Sequence, residues 1–278
     1  MPADTYELFR LTLIKRRHND LFEPFDETRE DYIRSVFSRR IEFEHHGTAF
    51  SYIPIETDLI TGAIVGKVGR QIRVPENAPP EEDFDEQLRD VWKASVIAVD
   101  PTPGRDGQKV SIQRDKKIGR SFSVLRSIAK EINKNFLSPY TLEIQPIFSS
   151  QTFWEFAEKH KGNITSLTFD FVVPNGIWNA DSHLKDELRS AGETMNAEEV
   201  TTTIKSETGI ITNSPPVEEA LAYIEKGSGS ATAKTRDGLT YSSTRKSKRA
   251  ILQYDLSGSP RAAIARALIS LAKILDHE

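Results

Sequence analysis

Apolar and polar residues alternate along residues 6–15 (YELFRLTLIK), which predicts a half-buried strand. The period changes at residues 28–38, where Tyr32, Ile33, Val36 and Phe37 fall at helical spacing. IEFEHHGTAFSYIPIE (41–56) reads as two strands joined at Gly47, and GAIVGKVGRQIRV (62–74) as a longer one. PENAPPEEDFDE (75–86) is proline-rich and acidic, the composition of an exposed connection and a domain boundary. Strand patterns resume at 91–99 and 108–114. GRSFSVLRSIAKEINKNF (119–136) then predicts an amphipathic helix with Phe122, Leu125, Ile128, Ile132 and Phe136 as its apolar stripe.

YTLEIQPIF, FWEFAEKH and ITSLTFDFVVP continue as strand, helix and strand, the last with Leu167, Phe169 and Phe171 on one face. Helical patterns cover 181–191 and 197–206, and a further helix enters at Pro215-Pro216 and stops at Gly227. Asp237-Gly238 joins the strand patterns 230–237 and 239–256 into a hairpin. A last helix starts from Ser259 and Pro260, with Ile264, Leu268, Leu271 and Leu275 along it. This order predicts an α+β fold with mixed or antiparallel sheets, packed helices, a C-terminal basic β-hairpin and a terminal helix. Two sub-domains are expected: a mainly β unit at 1–86, and an α+β unit at 87–278 for nucleic-acid binding and dimerisation.

Composition narrows the chemistry. Of 278 residues 37% are hydrophobic, enough for a packed core, and the absence of cysteine excludes disulfide scaffolds, thiol nucleophiles and zinc fingers. No apolar run approaches the roughly 18–20 residues that span a bilayer. The N-terminus has its basic residues after the apolar stretch, the wrong order for a secretory signal. The expectation is a cytoplasmic protein without membrane insertion.

The net charge of −4 conceals a segregation. Lys/Arg against Asp/Glu stand at 13 to 20 over residues 1–100, 9 to 4 over 101–150, 5 to 13 over 151–225 and 10 to 4 over 226–278. Two basic blocks thus alternate with two acidic ones, which can create a local positive field without a basic isoelectric point.

Catalytic signatures are sparse. The six histidines include no helical metal pair. His45 and His46 sit next to each other in a strand-to-turn segment, where neighbours point to opposite faces, so they predict an exposed hairpin tip. No Gly-Lys-Ser/Thr phosphate loop or Gly-x-Ser-x-Gly elbow is present, and no cofactor is implied. One enzyme alternative is a metal-dependent nuclease built on Asp115 and Glu143-Ile-Gln145, with Gln145 where such sites carry lysine. A third class is a protein-binding adaptor that uses the acidic blocks.

The basic blocks carry the strongest signal. Lys116, Lys117 and Arg120 precede or open the 119–136 helix, where free N–H groups and the helix dipole favour anions. Arg126, Lys130 and Lys134 then recur every four residues along its polar face. In the second block Lys234 and Arg236 fall on one arm of the expected hairpin and Arg245, Lys246, Lys248 and Arg249 on the other. Ser242, Ser243, Thr244 and Ser247 interleave them with short hydroxyls suited to phosphate. Aromatic residues there are limited to Tyr241 and Tyr254, so the pattern favours a duplex backbone over a base-stacking platform.

The element order from GAIVGKVGRQIRV through YTLEIQPIF and ITSLTFDFVVPN to GSGSATAKTRDGLTYSSTRKSKRAILQYDL resembles the RexA-like family of phage-exclusion and phage-defence proteins. The Kiwa component KwaB is a more distant relative. The resemblance covers roughly two-thirds of the chain. Family members are dimers that bind duplex DNA with little sequence preference. The resemblance therefore implies a homodimer acting in antiviral defence, with a second defence-system protein as a further partner. It also implies DNA contacts from the basic hairpin, including Lys234, Arg236, Arg245 and Lys248.

Overall fold

The computed structural model describes residues 3–16, 27–58, 62–103, 108–173, 183–195, 197–253 and 260–272. Two antiparallel sheets organise the chain. The larger contains β1 (Ala3–Lys15), β2 (Ile41–His45), β3 (Thr48–Thr57), β4 (Ile64–Asn77), β5 (Glu86–Asp100), β6 (Gln108–Gln113), β7 (Tyr140–Pro146) and β12 (Arg249–Gln253). Helices α1 (Arg29–Phe37) and α2 (Ser121–Asn133) cover one face, and α6 (Pro260–Ala272) covers the other. The smaller sheet has the order β11 (Thr240–Ser242), β10 (Gly229–Thr235), β8 (Ile164–Val172) and β9 (Glu199–Lys205). Its apolar face packs against α3 (Gln151–Lys159), α4 (His183–Met195) and α5 (Pro215–Glu225). The fold is α+β, and no helix among the described residues is long and apolar enough to cross a membrane.

β1 is buried on both faces, not half-buried as its alternation predicts. Phe9, Leu11 and Leu13 join the core beneath α1 and α2, while Tyr6 and Leu8 join the core beneath α6. One edge of β1 pairs with β6; the other is shared, with β12 along residues 3–7 and β7 along residues 9–15. Leu8 marks the change, its N–H donating to the Lys248 carbonyl and its carbonyl accepting from the Ile147 N–H. The N-terminal strand is thereby bound to the middle and to the end of the chain.

That pairing overrides the expected division at residue 86. β4 and β5 pair along the whole of β4, from Ile64↔Val99 to Asn77↔Glu86, so the 75–86 segment is the tip of a hairpin. Residues 1–86 and 87–278 both supply strands to the larger sheet.

Two further expectations are corrected. Residues 197–206 are not helical: β-branched Val200, Thr201, Thr202, Thr203 and Ile204 pair as β9 with β8. The Asp237-Gly238 turn does form, but its second arm stops after Ser242. The buried Ser243 hydroxyl accepts the Ala231 N–H, and a 3₁₀ turn over Ser243–Arg245 redirects the chain to β12 in the other sheet. The basic residues 245–249 therefore bridge the sheets; they do not form a hairpin arm.

At the helices, Phe136 lies past the end of α2 and is exposed, so the stripe stops at Ile132. Ala267 and Leu271 of α6 are buried against the larger sheet. Ser259 and Leu275 lie outside the described residues.

Close packing gives a direct test. A Cβ at Gly66 would stand 2.5 Å from Cε2 of Tyr52, whose buried ring donates its hydroxyl to the Phe37 carbonyl at 2.9 Å. Gly66→Ala is expected to destabilise the protein by about 1–3 kcal/mol through overpacking. The check is a lower urea midpoint at constant slope; an unchanged midpoint contradicts the packing described.

Candidate nucleic-acid interface

A cleft of about 1050 Å³ opens where β12, β6 and the start of α2 meet. Among the described residues its lining gathers Arg70, Arg114, Lys116, Arg120 and Arg126 with Arg245 and Arg249, against Glu7 as the single carboxylate. The two basic blocks, more than a hundred residues apart in sequence, thus share one concave surface.

Cross-strand register explains how they are held. Glu7 on β1 stands directly opposite Arg249 on β12, and Arg114 follows β6 on the other side. The Glu7 carboxylate, itself 9% exposed as a residue, lies 3.4 Å from the Arg249 Nε and 4.0 Å from that of Arg114. One carboxylate between two guanidiniums leaves this trio cationic. Arg70 donates from Nε and Nη2 to the Lys117 carbonyl at 3.0 and 2.8 Å and stacks over the Phe50 ring. It thereby fixes the β6–α2 turn at the rim.

The helix start adds to the field. Arg120 is the N-cap of α2, no side chain caps the helix, and Ser121, Phe122 and Ser123 of its first turn line the cleft. Unpaired N–H groups and the dipole there favour an anion. Ser242, Thr244 and Ser247 line the opposite side as further hydroxyls. The Phe122 ring is already stacked on Phe9 at 6.2 Å, so it is not free to hold a base.

A second cavity of about 840 Å³ continues along α2 and shares His45, His46, Ser123 and Arg126 with the first. Lys130 and Lys134 line it, the latter paired with Glu131 at 2.6 Å. The stripe Arg126, Lys130, Lys134 spans about 12 Å of this trough, and Glu44, Glu131, Glu143 and Glu199 line it as well.

The other predicted cations lie elsewhere. The Lys117 side chain is exposed but lines neither cavity. Lys246 is exposed and Lys248 half-buried, and both are outside the lining. Lys234 and Arg236 belong to the smaller sheet and its turn, where Arg236 donates to the Glu207 carbonyl at 2.7 Å. Arg70, Arg114 and Glu7 were missed, because only long-range strand pairing brings them here.

The histidine expectation is also corrected. His46 takes a left-handed conformation (φ 49°), which breaks strand alternation and turns both rings toward α2. His45 is buried, with Nδ1 2.8 Å from the Ser127 hydroxyl and its ring edge-on to His46 at 4.3 Å. Burial lowers its pKa, helped by His46 and Arg70, so its imidazole is neutral at pH 7.

The nuclease pair is not assembled. Arg114, next to Asp115, donates its N–H to the Thr5 carbonyl, whereas Glu143 is registered with Thr12. Seven residues of β1 separate the two sites, roughly 23 Å. The Asp115 carboxylate instead accepts the Lys117 N–H. No group of three or more metal-ligating side chains occurs among the described residues. Comparison with protein-family models, with curated proteins and with solved structures finds no match.

Glu143 provides a pH signature. Burial pushes its carboxyl up to about 7, with Glu199 and Glu198 adding to the effect and Arg126 opposing it. A folded pKa above the unfolded value stabilises at low pH, and that contribution is lost as pH rises through about 7. Glu143→Gln is therefore expected to match wild type near pH 4, where the carboxyl is largely protonated in both folded and unfolded states. Near pH 8.5 it should be more stable by about 1–3 kcal/mol, allowing for partial solvent screening. Denaturation at the two pH values checks this; an equal difference at both contradicts it.

Proposed function

We propose that this protein binds nucleic acid, with duplex DNA as its partner, through phosphate contacts made in the cationic cleft and along α2. The observation that carries this reading is the convergence of both basic blocks on one concave surface. Seven cations against one carboxylate focus a positive potential there. Hydroxyls from Ser242, Thr244 and Ser247 and the open helix start supply neutral donors of the kind that position phosphates. With Phe122 already stacked and no other Phe, Tyr or Trp among the described residues that line the cleft, sequence-tolerant backbone binding is favoured over base readout. The resemblance to RexA-like proteins supports the choice of duplex DNA and a role in antiviral defence.

Binding of this kind releases counterions. Affinity should fall with salt at a logarithmic slope of about −0.9 per neutralised phosphate, and differ little among duplexes of equal length. Charge reversal at Arg120, Arg126 and Arg245 to Glu should weaken binding by about tenfold or more at 0.1 M salt and flatten the slope. The matching Lys234→Glu, Arg236→Glu variant should bind like wild type. Fluorescence anisotropy with a labelled duplex across a salt series measures all of this. Loss confined to the Lys234/Arg236 variant contradicts the cleft as the interface.

A further inference from the structure

The outer parts of β4 and β5 form an arm. β4 pairs with β3 only as far as Gly69, and β5 pairs with β6 only from Ile97 onward. The ladder from Arg70↔Lys93 to Asn77↔Glu86 is therefore held by its own two strands and projects about 25 Å from the sheet.

The arm's surface is unusual in two ways. Residues 76–90 contain seven carboxylates, all exposed, against Arg89 alone. Arg89 pairs with Glu76, and Asp90 with Arg73, which leaves the carboxylates of Glu81, Glu82, Asp83, Asp85 and Glu86 at the tip without an ion pair among the described residues. Beside them, Phe84, Leu88 and Trp92 are 60%, 68% and 67% exposed. Asp83 and Phe84 both take left-handed backbone (φ 52° and 57°), a costly way to present an aromatic ring to water.

The arm complements the cleft. Its tip is acidic where the cleft is basic, and it carries apolar side chains that gain from leaving water. Arg70 at the arm's root lines the cleft of the same chain, whereas the acidic tip lies about 25 Å along the ladder from it. A second copy meets no such constraint, and reciprocal exchange of arms gives a closed two-fold assembly.

We infer that the acidic arm of one chain docks in the cationic cleft of a second copy, forming a dimer in which the arm's carboxylates occupy the phosphate positions and exclude nucleic acid, a dimer distinct from the DNA-bound one that the RexA-like resemblance implies. The inference rests on the cleft's anion-binding character, and it regulates the activity proposed above.

The test uses three forms of the full chain: wild type, an arm variant (Glu81→Lys, Glu82→Lys, Asp85→Lys) and a cleft variant (Arg120→Glu, Arg245→Glu). All five positions are exposed. In sedimentation velocity at roughly 0.05 M salt, wild type should run at twice 31.3 kDa and dissociate at roughly 0.5 M. Each variant alone should run as a monomer, and an equimolar mixture of the two should restore a two-chain complex. The arm variant should also bind a labelled duplex about tenfold more tightly than wild type, since its competitor is gone. A monomeric wild type at low salt, or an arm variant that still dimerises, overturns the inference. If the arm variant is monomeric while neither it nor wild type binds duplex, the arm inference stands and the nucleic-acid reading falls. Duplex binding by a monomeric wild type gives the reverse.

Discussion

The cleft depends on the two edges of β1. With β6 on one edge and β12 on the other, the segment that ends at Arg114 and the segment that begins at Arg249 flank β1, about 10 Å apart across it. Glu7 stands between them and makes their approach tolerable. Two guanidiniums at that distance repel unless a carboxylate intervenes, and a partly buried carboxylate is costly unless it is paired. Each group therefore supplies the other's condition, and the rest of the cationic surface is arranged around this trio.

The surface that results is under electrostatic tension. Arg70 relieves some of it by donating to the Lys117 carbonyl and stacking on Phe50, and His45 contributes none because burial keeps it neutral. The remaining cations are held close together in the folded state. A bound polyanion lowers the free energy of that state by mass action. The cleft follows from one arrangement: charge separated along the sequence and reassembled by strand pairing.

Local features of this arrangement were legible in the sequence. The alternation of β1, the amphipathic period of α2 and the Pro215 start of α5 each report a nearest-neighbour preference, and each element forms where its pattern lies. Helix 197–206 fails because consecutive β-branched residues pair with β8, a partner no local window contains. The basic hairpin fails for a related reason: Ser243 is drawn into the smaller sheet while Arg249 is drawn to β1. Lys116, Arg120, Arg126, Arg245 and Arg249 were identified as cations, but their common location was not. Arg70 and Glu7 carried no signal, since their importance arises from register alone.

The central claim is that residues 114–126 and 242–249 form one binding surface. Hydrogen–deuterium exchange with and without a short DNA duplex tests it most directly, because it reads both segments in the same sample. The account predicts that both become protected together, with one midpoint on titration, while 230–236 on β10 is unchanged. Protection of one segment without the other, or protection centred on 230–236, would contradict it.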